Sequence, residues 1–174
     1  MKSREPQWTR SLGVLCTSLA LTAAIALGLF LAYPSLAQDE ALARAGVEAW
    51  KASKCANCHG QFADGDKAMD NAPDGANLRK TTFDRAALIE TTRCGLPGTE
   101  MPAHDPGAYT ENECYGIVGE EVEVATGKGM SPEEIEALVD YLLARVVGAG
   151  RITREECTFY YKNPAKCRAY RPAD

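Results

Sequence analysis

The chain has 174 residues, enough for one modest domain with a buried core. It is 45% hydrophobic and 25% charged, ordinary for a globular protein, and its formal net charge of −5 argues against the basic face that nucleic-acid binding needs. Without residues 1–37, 16 Lys and Arg stand against 23 Asp and Glu, net −7, so docking would favour a partner with a basic surface and weaken with salt.

Residues 1–10 carry Lys2, Arg4 and Arg10 against Glu5, and residues 11–33 carry no charge. Ser35 and Ala37 then occupy the −3 and −1 positions of a small-residue cleavage site, which would leave Gln38 as a new N-terminus. Positive start, apolar run and small-residue exit predict an export signal. The 23-residue run is also long enough to span a bilayer. Two outcomes stay open: a soluble periplasmic product cut near Ala37, or membrane association through residues 11–33 as an uncleaved inner-membrane anchor, basic end in the cytoplasm. Cys16, within the run, reads as apolar filler.

Residues 39–53 lack Pro, are rich in Ala and predict a helix, with Val47 and Trp50 on one apolar side. It runs into CANCHG, residues 55–60. Residues 60–80 are dense in Gly, Asp, Asn and Pro and predict a loop. Asp84 is an N-cap for a short helix that Gly95 stops. The stretch 105–130 sets Asp105, Glu111, Glu113, Glu120, Glu121 and Glu123 against Lys128, an acidic loop with a solvated face. Ser131, Pro132 and Glu134 spell a capping box with Pro at the first helical position, and Ile135, Leu138, Val139, Leu142 and Val146 give a helical stripe ending near Gly148. The tail holds Phe159, Tyr160, Tyr161, Tyr170 and two cysteines; between Arg151 and Arg171 it carries six basic and two acidic residues, net +4, which suits either a cap packed on the core or a docking element. No repeat and no alternating strand is visible. The expectation is an all-α domain with long loops over 38–150, a leader or anchor over 1–37, and a C-terminal extension over 151–174.

CxxCH admits three chemistries. A zinc site needs four ligands, and the 19-residue gap between Cys94 and Cys114 is no ligand pair. A redox disulfide motif expects a βαβ context, which is missing. Covalent haem attachment fits without strain: Cys55 and Cys58 bond the two vinyl groups, and His59 is delivered beneath the iron as proximal ligand. Among Met69, Met101, Met130 and His104, Met101 is favoured as distal ligand, because GLPGTEMPAH can hold an extended strap against the haem face. His104 would give bis-His ligation instead, and Met130 suits an apolar staple before the capped helix.

CANCHG, the APDGANL loop, FDRAALIETTRCGLPGTEMPAH and SPEEIEALVDYLLARV together resemble a class I c-type cytochrome over about residues 42–147. The resemblance implies an all-α fold around one covalent haem c, with the first helix crossing the last where Gly46 and Trp50 meet Tyr141. It implies that the carbonyl of Pro73 accepts the proximal histidine's hydrogen bond. The long stretch between Met101 and Ser131, and the tail, depart from the family and contain four cysteines that allow three pairings; Cys94–Cys114 and Cys157–Cys167 are the favoured ones. The expected function is a periplasmic monohaem electron carrier between a redox donor and acceptor, with no catalytic residue of its own. Alternatives are a dedicated cytochrome subunit of a periplasmic dehydrogenase or oxidase, a haem enzyme or gas sensor with an open iron position, and a zinc or disulfide protein.

Overall fold

The computed structural model describes residues 38–173. The export-signal and anchor readings, with Cys16, Ser35 and Ala37, lie outside the described residues. The chain divides into two compact units, Met1–Glu40 and Ala41–Asp174. Of the first, only residues 38–40 are described, as helix.

The described residues are helical, with isolated bridges and no strand. Helix α1 covers residues 38–52, α2 Ala56–His59, α3 Arg85–Cys94, α4 Pro132–Arg145 and α5 Arg154–Tyr161. Single 3₁₀ turns lie at Leu78–Lys80 and Pro164–Cys167. No helix among the described residues is long and apolar enough to cross a membrane.

Local chemistry sets the helix ends. The Asp84 carboxylate accepts from the Ala87 N–H at 2.9 Å, and Gly95 at φ 65° closes α3. Ser131 and Glu134 make both halves of the capping box that opens α4. Met130 and Ile135, the residues on either side of that cap, join the same core cluster as a hydrophobic staple. Helix α4 ends at Arg145, three residues before Gly148, and the Gly148 N–H instead donates to the Arg79 carbonyl.

The core forms where α1 meets α4. A Cβ on Gly46 would lie 2.2 Å from the Ala137 carbonyl oxygen and 2.4 Å from the Tyr141 Cβ. Only glycine lets the two helices approach this closely. Val47, Trp50, Ile135, Leu138, Tyr141, Leu142 and Val146 pack around that contact. Tyr141 stacks on Phe159 of α5 at 6.3 Å, so the tail extends the same core. A smaller cluster of Cys94, Tyr109 and Cys114, backed by Ile117, Val122 and Val124, serves the acidic stretch.

Two disulfides close these additions. Cys94 and Cys114 are bonded with Cα atoms 5.6 Å apart, and Cys157 and Cys167 with Cα atoms 5.7 Å apart. The tail's aromatics face inward: Phe62 meets Tyr160, Tyr161 and Tyr170 at centroid distances of 5.5, 6.1 and 5.6 Å. Arg44 donates to the Phe159 carbonyl at 2.7 Å and Lys51 to the Tyr160 carbonyl at 2.6 Å. Arg151, Arg154, Lys162, Lys166, Arg168 and Arg171 stay at the surface, as do Glu111, Glu113, Glu120, Glu121 and Glu123 of the acidic stretch.

Candidate functional site

Cys55, Cys58 and His59 fall within one helical turn. Lys54 takes a left-handed φ of 61° between α1 and α2, and the chain re-enters helix at once. The Cys58 and His59 N–H groups both donate to the Cys55 carbonyl, at 3.3 and 3.0 Å. Spacings of three and four residues put the three side chains on one helical face. Both thiols are unbonded. Burial pushes the Cys55 thiol up to about 12, and the neighbouring Cys58 adds to the rise. A disulfide oxidoreductase needs the opposite shift, toward thiolate. No group of three or more His, Cys, Asp or Glu suited to a metal ion occurs among the described residues, and the disulfide removes Cys94 and Cys114 as zinc ligands.

The loop after the motif folds back over it. Gly60, at φ 84°, makes the turn, and a Cβ there would lie 2.3 Å from Asp64 Oδ1. The Gly65, Ala68 and Gly75 N–H groups then donate to the carbonyls of His59, Ala56 and Cys58 at 2.8, 3.0 and 3.1 Å. His59 Nδ1 lies 2.8 Å from the Ala76 carbonyl oxygen. A carbonyl can only accept, so Nδ1 carries the proton and Nε2 keeps its lone pair for a metal. Burial lowers the His59 pKa, with the Ala76 bond opposing, which favours the neutral ring a metal requires.

This corrects the Pro73 expectation. The acceptor is Ala76, three residues further on, and Pro73 is exposed. The reason is steric. A Cβ on Gly75 would lie 2.7 Å from the Cys58 carbonyl carbon and 2.8 Å from His59 Nδ1. The chain passes the ring at its glycine, and the next carbonyl is the one presented.

Met101 lies in a closed strap. The Leu96 N–H donates to the Met101 carbonyl at 3.0 Å, and the Met101 N–H to Thr99 Oγ1 at 3.2 Å. Gly95 supports the fold-back, since a Cβ there would lie 2.6–2.7 Å from the backbone of Met101, Pro102 and Ala103. The Ala103 N–H bonds the Ala125 carbonyl at 2.8 Å, tying the strap to the acidic stretch.

Two of the three rival ligands are already engaged elsewhere. His104 is 4% exposed; its Nδ1 lies 2.8 Å from the Lys128 carbonyl, and Gly127 packs against the ring. Met130 is 5% exposed within the core, and Met69 is 44% exposed.

The residues fit a haem. Two free thiols stand one turn apart, an imidazole nitrogen is left for iron, and beside that ring lies an indole N–H that no described residue satisfies. Trp50 is 2% exposed, its ring centroid lies 6.1 Å from that of His59, and its Nε1 has no hydrogen-bond partner among the described residues. Reading the sequence alone misses Ala76, Gly75 and Arg79. Arg79 is a buried arginine whose only sequence signal is a cation inside an otherwise ordinary loop.

Residues 41–119, a little under half of the chain, match the family model of the cytochrome c oxidase, cbb3-type, subunit III. No curated protein and no solved structure matches the chain. Helical architecture and family match converge on a c-type cytochrome domain over residues 41–119, which implies one covalently bound haem c and supports an electron-carrier role.

Proposed function

We propose that this cytochrome is a periplasmic carrier that passes single electrons between redox partners and performs no bond chemistry. The observation that carries the site is the His59 Nδ1 bond to Ala76 beside two unbonded thiols one helical turn away. Cys55 and Cys58 would hold the haem through thioethers, and His59 and Met101 would supply the ligands to its iron. When bound, haem c supplies one-electron exchange at iron. The protein orients the imidazole through Ala76, keeps it neutral by burial, and offers a soft thioether that favours the reduced metal and raises the potential.

The leader delivers the domain to the periplasm, by cleavage near Ala37 or as an inner-membrane anchor. A second reading, the cytochrome subunit of an oxidase or dehydrogenase complex, is favoured by the family matched over residues 41–119. The acidic stretch and the tail would then meet the neighbouring subunit. Purification from membranes and from periplasm, with N-terminal sequencing, tests both: a free carrier is recovered alone, and a subunit co-purifies with a stable partner.

Met101→Ala tests the distal assignment. Purified ferric wild type is expected to show the weak far-red band of a methionine–iron bond, and its ferrous form not to bind carbon monoxide. The variant is expected to lose the band and bind the gas. A wild type that binds carbon monoxide as isolated would instead favour an enzyme or gas sensor.

A further inference from the structure

The segment that supplies Ala76 is fastened to the C-terminal tail. Asn77 Oδ1 accepts from the Arg79 N–H at 3.0 Å and opens the turn Leu78–Lys80 directly after Ala76. The Leu78 N–H donates to the Ala63 carbonyl at 2.9 Å, joining the two ends of the loop that encloses His59. The Arg79 guanidinium completes the joint. It is 7% exposed, and it donates from Nη1 to the Phe62 carbonyl at 3.2 Å and from Nε and Nη2 to the Gly150 carbonyl at 3.1 and 2.9 Å. Nη1 also bonds Glu156 Oε1, and Nη2 bonds Glu156 Oε2 at 3.1 Å. All five N–H donors of the group are thereby used.

Glu156 comes from α5, in the tail. Thr153 caps that helix by accepting from the Glu156 N–H at 3.2 Å, so Glu156 stands where a capping box would return its carboxylate to the cap. The carboxylate pairs with Arg79 instead, with the Glu156 side chain 14% exposed. A planar guanidinium held on two sides by a carboxylate and by backbone carbonyls has one orientation, which a lysine could not reproduce.

We propose that Glu156 and Arg79 are positioning residues for the proximal ligand: the tail, acting through this pair, holds the Ala76 carbonyl against His59 Nδ1 and so tunes the basicity of the imidazole. This rests on His59 being the iron ligand. A firm Nδ1–H···O bond makes the imidazole a better donor and stabilises ferric iron. Releasing the tail's grip weakens the bond and moves the midpoint potential positive. The extension is then part of the redox centre's supporting structure as well as its cap.

The test compares the wild-type holoprotein with Glu156→Ala and Glu156→Gln. Each is checked for covalent haem by intact mass and for helix content by circular dichroism. The deciding reading is deuterium exchange of the His59 Nδ1 proton in the ferric protein, followed by NMR, alongside the midpoint potential. In Glu156→Ala this proton is expected to exchange several-fold faster and the potential to move positive, with Glu156→Gln intermediate. Loss of an anion alone also moves a potential positive, so wild-type exchange rates in the folded variants would overturn the inference even with a shifted potential. Should the Ala variant fail to fold, the near-isosteric Gln variant decides. A wild-type protein in which His59 does not ligate the iron would overturn the site assignment itself, and the wild-type spectrum separates that failure from the other.

Discussion

Single residues decide two close backbone approaches among the described residues. At Gly46 the backbones of α1 and α4 leave no room for a β-carbon. Gly46→Val forces them apart and is expected to cost about 1–3 kcal/mol or more, seen as a lower thermal midpoint of the holoprotein; an unchanged midpoint would mean that the helices do not cross there. Gly75 plays the equivalent part beside His59. The haem motif was legible in sequence because Cys55, Cys58 and His59 are adjacent. Which carbonyl meets His59 was not. Pro73 and Ala76 lie in one loop, and the choice between them depends on where the chain crosses the ring, a matter of loop closure that local composition does not encode.

At the scale of elements, α1, α3 and α4 could be read in advance because caps and stripes are local signals. Helix α5 was not, although Thr153 and Glu156 spell a cap. Its apolar face is aromatic, and its partners, Phe62, Arg44 and Lys51, lie about a hundred residues earlier in the chain. The Cys157–Cys167 bond ties this helix to the following turn. Replacing both cysteines by Ala is expected to lower stability by about 2–4 kcal/mol, measured by denaturant unfolding. Alkali should act on the same element. Burial, with Tyr161 nearby, pushes Tyr160 up to about 12, against about 10 in an unfolded chain. Between those values the unfolded chain loses a proton that the folded chain keeps. The stabilisation is therefore full below about pH 10 and is lost as pH rises toward 12. Unfolding midpoints measured from pH 8 to pH 12 should fall across that window; a flat profile would place Tyr160 in water.

At the scale of the whole molecule, the proposed site draws its functional parts from four separated stretches. The thiols and imidazole come from the turn after α1, the proximal carbonyl from the loop ending at Arg79, the Met101 strap from the segment after α3, and the clamp on that loop from the tail. The disulfides stabilise the two additions, one beside the strap and one on α5. Acidic side chains crowd the insertion and basic ones the tail, so the surface is electrically divided. The central claim is that Cys55 and Cys58 hold one haem covalently. Intact-mass analysis of the purified protein after acid–acetone extraction tests it most directly. The account predicts a red polypeptide that keeps the mass of one haem, loses it when both cysteines are replaced by Ala, and contains two disulfides. A colourless chain of unmodified mass with free thiols at Cys55 and Cys58 would contradict it.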